Sequence, residues 1–141
     1  MSGQRVLFVC VHNSGRSQMA EAFANRLASG GALAESAGTT PAERPNPVVV
    51  EAMRERGIDL SSNRPKAMTQ AMVARADQVI TMGCSITEEC PAVFVPSEDW
   101  GLDDPAGRPI EEVRAIRDEV ERRVRQLLAE IGATDAPVPA P

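Results

Sequence analysis

Cys10 and Arg16 bound the segment CVHNSGR, which lies between an apolar run, RVLFVC, and a stretch of helical periodicity that opens at Ser17. A strand that feeds through a short loop into a helix turns the loop's N–H groups and the helix N-terminus onto one point. That arrangement makes an anion site. The same partial positive charge favours thiolate over thiol at Cys10, and the thiolate is the nucleophile. Arg16 carries a planar fork that grips two oxygens of a tetrahedral oxyanion, where a lysine offers only a point charge. Gly15 lets the backbone come close without a Cβ. Asn13, Ser14 and Ser17 are placed to shape the loop and to donate to the sulfur, and Val11 and His12 complete the oxyanion-binding segment. The competing reading is a buried cysteine at a strand end and a surface arginine at a helix start. A cysteine and an arginine six positions apart are common by chance; the strand before and the helix after give the pattern its meaning.

Displacing an oxygen from an oxyanion also needs an acid for the leaving group. Asp104 in DDPAG is the candidate, with Pro105 stiffening the loop and biasing Asp104 toward an extended backbone. Its neighbour Asp103 is the alternative, although a solvated acidic turn suits Asp103 better. Three cysteines are present, Cys10, Cys84 and Cys90. An odd number argues against a secreted disulfide scaffold and for thiols kept reduced. With one histidine and no CxxC pair, no metal site is expected.

These residues need a frame. Residues 5–10 read as a strand buried on both faces of a parallel sheet. Met19, Ala20, Phe23 and Leu27 then fall on one face of a helix from Ser17. A second strand is expected at Ala34–Ala37. Asn46 and Pro47 read as an N-cap and first helical residue, opening a helix that Gly57 closes. A helix over Met68–Ala76, a strand at Gln78–Met82 and a fourth strand at Ala92–Val95 follow. Residues 96–109 read as an ordered loop, and Ile110 to Ile131 as a long amphipathic helix. This alternation predicts one α/β domain over residues 1–133, with a four-stranded parallel sheet covered by helices on both faces. Residues 134–141, rich in Pro and Ala, read as a disordered tail. A net charge of −5 without a basic stripe speaks against nucleic acid. The apolar run near the N-terminus is too short for a signal segment, and nothing approaches a membrane span. A cytoplasmic monomer is expected, with no cofactor.

CVHNSGRS after a first strand, with the late WGLDDPAG loop, resembles the low-molecular-weight tyrosine phosphatase superfamily and, within it, the thioredoxin-coupled arsenate reductases. The resemblance runs from about Arg5 to Gly132. It implies that Cys10 attacks, Arg16 holds the oxyanion, Asp104 is the acid, and Asn13 and Ser17 hold the loop and tune the nucleophile. It also implies a relay: Cys84 attacks the Cys10–arsenate adduct, and Cys90 then draws the disulfide to Cys84–Cys90 for reduction by thioredoxin or a low-molecular-weight thiol. Five residues separate Cys84 from Cys90, one fewer than this branch carries, which leaves the pairing order open. The plain alternatives are Cys84 as a small hydrophobe at a strand end and an incidental Cys90. A phosphatase acting on small phosphomonoesters through Cys10, Arg16 and Asp104 is the other enzyme reading. Against a phosphotyrosine pocket, the chain has no Tyr, and Arg108 follows DDPAG where aromatic residues would be expected. Some reductases of this kind hold potassium through residues that match Asn13, Glu21 and Ser36. Lys66 falls near the fourth position, where its ammonium would stand in for the ion or remain a solvated charge.

Overall fold

The computed structural model describes residues 4–28, 32–82 and 97–131. Strand β1, Gln4–Cys10, is buried without a break from Val6 to Cys10, as an apolar run between two covered faces should be. Side chains alternate along a strand, so Val6, Phe8 and Cys10 enter one core while Leu7 and Val9 enter another. Helices α1 (Arg16–Leu27), α2 (Pro47–Arg54) and α4 (Ile110–Glu130) close the first core through Met19, Phe23, Val49, Met53, Val120 and Val124. Met72 of α3 (Gln70–Arg75), with Ala76 just beyond it, packs on the second. Helices therefore lie on both faces of the sheet.

Strands β2 (Ala32–Gly38) and β3 (Gln78–Thr81) flank β1 in parallel, and the short β4 (Ser97–Asp99) adds to β3, giving the order β2-β1-β3-β4. The chain leaves β1 toward β2 on one side and returns to β3 on the other. The strand order thus reverses at β1, and the crevice beyond its carboxyl end is where open α/β sheets place their sites. Cys10 is the last residue of that strand.

The local signals account for most boundaries. Asn46 Oδ1 accepts from Val48 N at 2.9 Å and Pro47 opens α2. Gly57, at φ 75°, turns the chain after it. α3 starts at Gln70, later than the expected Met68, because Thr69 caps it, its Oγ1 accepting from Met72 N. β2 is longer than expected at both ends because its backbone pairs with β1 over the full register. β4 corrects the expectation of a loop from residue 96. Ser97, Glu98 and Asp99 carry no apolar signal, and a short edge strand needs only backbone partners, which Val79, Ile80 and Thr81 provide. The strand expected at Ala92–Val95 lies outside the described residues, as do Cys84, Cys90 and the proposed tail.

Two contacts fix the frame around the site. Arg117 is buried and donates to Ala52 O and to Glu55 Oε1, each at 2.8 Å, tying α4 to α2. Hydrogen bonds from Arg114 and Arg117 hold the Glu55 carboxyl far below the usual carboxylate range, at about 2. Trp100 packs on Phe8 with ring centroids 5.6 Å apart, lies under the Arg123 guanidinium, and donates its backbone N–H to Thr81 O at 2.9 Å. The loop that carries Asp104 thus leaves the sheet from a secured point.

Candidate active site

Every carbonyl from Cys10 to Gly15 accepts a hydrogen bond from outside the loop. Thr39 N reaches Cys10 O at 3.2 Å, Thr40 N reaches Val11 O at 2.8 Å, and Ala42 N reaches His12 O at 3.0 Å. Gln18 Nε2 donates to Asn13 O at 3.2 Å. Asn46 N and Met19 N take Ser14 O and Gly15 O at 2.8 and 2.9 Å. In a trans peptide the N–H points opposite to the C=O, so drawing these carbonyls outward turns the amides of Val11 to Arg16 to the other side. The first turn of α1 adds N–H groups that have no intrahelical acceptor. The result is a ring of donors and a helix N-terminus around one point, which is what a tetrahedral oxyanion requires.

Asn13 holds this shape. It is fully buried and left-handed, at φ 49°, a conformation that costs a non-glycine residue on the order of 1 kcal/mol unless its surroundings offset it. Those surroundings also fix the amide's orientation. Lys66 N can only donate, and it donates to Asn13 Oδ1 at 2.8 Å. Asn13 Nδ2 therefore faces Ser17 Oγ, at 2.7 Å. Since Ser17 Oγ accepts there, its hydrogen is free for Cys10 Sγ, 2.8 Å away. Asn13 N donates to the same sulfur at 3.2 Å. Two donors are thus aimed at one buried sulfur. His12 is exposed, its Nδ1 3.2 Å from Thr40 O, while Val11 and Ser14 are half-buried.

Arg16 is buried at the helix start, its Nη1 donating to Met82 O at 2.6 Å and to Leu102 O at 3.0 Å. These bonds join the loop to the end of β3 and to the segment leading to Asp104. Arg16 Nη2 lies 3.9 Å from Asp104 Oδ2. Asp104 itself is half-exposed, with Oδ1 accepting from Ala106 N at 3.0 Å and the main-chain oxygen accepting from Arg108 Nε at 2.7 Å. Asp103 is exposed, and of the two candidates the structure brings Asp104 to the loop. Pro105 is buried against Gly15, where an added Cβ would sit 2.8 Å from Pro105 Cγ. The glycine allows the two loops to touch.

Sequence reasoning missed two residues. Gly38, at the end of β2, has no room for a side chain: a Cβ would meet Val11 O at 2.7 Å and Asn13 N at 2.9 Å. Both are backbone atoms of the loop, so they cannot swing away. Gly38→Ala is therefore expected to lower kcat/KM for any oxyanion substrate by at least tenfold, roughly the 1.4 kcal/mol that a displaced donor represents, while leaving a folded protein by circular dichroism. Full activity in that variant would show that the loop does not need its present shape. Gln18, the second, reads in sequence as a polar helix residue, yet it is 1% exposed. Of the residues matched to a cation arrangement, Ser36, Glu21 and Lys66 meet through their side chains, while Asn13 meets Lys66 through the lysine's backbone N–H. Ser36 Oγ donates to Glu21 Oε1 at 2.7 Å, and Lys66 Nζ stands 3.9 Å from Glu21 Oε2.

A cysteine- and arginine-bearing loop at the switch point of an α/β sheet, facing an Asp-Pro loop, is an arrangement suited to handling oxyanions. The chain belongs to the low molecular weight phosphotyrosine protein phosphatase family, whose model matches residues 5–136. Among its relatives, a Halobacterium salinarum protein named "Putative arsenate reductase" is 45% identical, covering 91% of this chain and 93% of that one. A thioredoxin-dependent arsenate reductase from Corynebacterium glutamicum superposes with a TM-score of 0.77 at 37% identity, over 92% of this chain but 62% of that one. An arsenate reductase solved in its phosphate binding state gives 0.79 at 36% identity, over 91% and 98%. Among the described residues, no helix is long and apolar enough to cross a membrane.

Proposed function

We propose that this protein reduces arsenate to arsenite. The observation that carries the reading is the everted loop, with its amides turned inward around a doubly hydrogen-bonded Cys10 sulfur and Arg16 beside Asp104. The relatives supply the substrate class, being named for arsenate reduction at up to 45% identity. Cys10 thiolate attacks arsenic(V), a sulfur–arsenic bond forms, and an oxygen departs as water with a proton from Asp104. Cys84 thiolate then attacks the Cys10 sulfur. The electron pair of the broken sulfur–arsenic bond stays on arsenic, which leaves as arsenite, and two thiols have become one disulfide. Cys90 attacks Cys84 and frees Cys10, and a dithiol such as thioredoxin, or a low-molecular-weight thiol, removes the Cys84–Cys90 disulfide. In this reading residues 1–133 are the catalytic domain, with β4 as fourth strand of its sheet, and 134–141 a tail. The enzyme works as a cytoplasmic monomer.

The test is arsenite formation by the full chain with thioredoxin, thioredoxin reductase and NADPH, repeated with a low-molecular-weight thiol as sole reductant. Hydrolysis of a small aryl phosphate without any arsenite would replace this reading with the phosphatase one, which the family description favours and the missing aromatic residues do not. In the same assay the Lys66 ammonium, which stands near the Glu21 carboxylate that Ser36 also bonds, fills the role of a bound cation. Exchanging sodium for potassium is expected to change kcat by less than about twofold; a large gain with potassium would show that an ion is required.

A further inference from the structure

We propose that Gln18 is a positioning residue for the reaction, holding Asn13 in the conformation that aims its own N–H and the Ser17 hydroxyl at Cys10, with Asn63 as its outer anchor. The inference rests on Cys10 acting as nucleophile, not on which oxyanion it attacks.

Gln18 lies on the first turn of α1 and is 1% exposed. A primary amide taken out of water without partners costs a few kcal/mol, so its bonds matter. One end is fixed by a backbone group: Asn13 O can only accept, so the nitrogen of Gln18 must face it, at 3.2 Å. The same nitrogen is 3.3 Å from Asn13 Oδ1. The carbonyl end then faces outward and accepts from Asn63 Nδ2 at 3.0 Å. Asn63 is exposed and lines an open cleft of about 430 Å³ beside Gln18, Glu21 and Lys66.

Asn13 O is the one loop carbonyl from Cys10 to Gly15 whose outside donor is a side chain. It belongs to the one non-glycine residue with positive φ among the described residues. Without the Gln18 donor, a buried carbonyl loses its partner and the left-handed state of Asn13 loses an offset. Relaxation of Asn13 toward negative φ would move both its N–H and its Nδ2, which reach the sulfur directly and through Ser17. A chain of hydrogen bonds thus runs from the open cleft to the nucleophile through Asn63, Gln18, Asn13 and Ser17, and its direction is set at two points by backbone atoms.

The experiment follows the rate of Cys10 alkylation by iodoacetamide against pH, resolved by peptide mass spectrometry, in the full chain and in Gln18→Met, Gln18→Glu and Asn63→Ala. Gln18→Met keeps the side chain's length and removes the donor. It is expected to slow Cys10 alkylation about tenfold at neutral pH and move the profile to higher pH. Gln18→Glu places an acceptor against two acceptors and should slow it further. Asn63→Ala should act in the same direction by about threefold, and adding it to Gln18→Met should change little more. A Cys10 profile within twofold of wild type in Gln18→Met, even with a lowered unfolding temperature, would reduce Gln18 to a filler of space and overturn the proposal. Where Gln18→Met does not fold, Asn63→Ala decides, since its side chain is exposed, and an unchanged profile there overturns the proposal equally. Failure of the arsenate reading looks different: no arsenite from the wild type, with its alkylation profile unaffected.

Discussion

Cys10→Ser is expected to abolish arsenite release and aryl phosphate hydrolysis together, each by on the order of 10⁴-fold or more, because both begin with attack by the same sulfur. Serine would keep the contact with Ser17 but present a neutral hydroxyl to the ring of amides. The other cysteines separate the two chemistries. Phosphate leaves a thiophosphate intermediate that water can resolve, so Cys84→Ser and Cys90→Ser should retain phosphatase activity within a few-fold of wild type. Arsenate reduction needs an electron pair, so Cys84→Ser should release no arsenite beyond what an added thiol extracts. Cys90→Ser should stop after one arsenite per enzyme, with Cys10 and Cys84 joined. Multiple turnover by Cys84→Ser at the wild-type rate would refute the relay, and a stalled Cys10–Cys84 disulfide in Cys90→Ser would establish its order despite the shortened spacing.

Arg16→Lys should cost kcat/KM about 10²–10³-fold, or roughly 2.7–4 kcal/mol of transition-state stabilisation, although charge is conserved. The reason is geometric. Arg16 already commits Nη1 to Met82 O and Leu102 O, which leaves the rest of the guanidinium to face the oxyanion and Asp104. A single ammonium cannot hold two backbone carbonyls and also present a planar pair of donors. Loss of the carbonyl bonds would also free the Asp104 loop, so the variant should lose the contribution of that carboxyl along with the grip on the oxyanion. Activity of Arg16→Lys within tenfold of wild type would mean that a point charge suffices.

The meeting of Cys10, Arg16 and Asp104 at one place was legible because each is announced locally. Cys10 ends an apolar strand, Arg16 starts a helix and Asp104 precedes a proline. The Asn46 cap was legible for the same reason. Gln18 and Gly38 were not, since their roles depend on what folds against them: the carbonyl of a left-handed asparagine for one, two backbone atoms of another segment for the other. β4 escaped because its residues are polar and its partners are backbone atoms of β3. The choice between Asp103 and Asp104 rested on turn chemistry in the sequence and on the position of Arg16 in the structure.

The everted loop has a consequence for how the site comes into being. Its carbonyls are held by Thr39, Thr40, Ala42 and Asn46, and its asparagine by Lys66, all of them many residues downstream in the chain. A synthetic peptide spanning Cys10 to Arg16 would contain every reactive group and none of the arrangement. The binding centre is therefore a non-local property, formed only when the strand after the first helix has docked and the chain has closed loops over long separations. Loss of oxyanion affinity and loss of β1–β2 pairing should accordingly be one event along the unfolding path, not two.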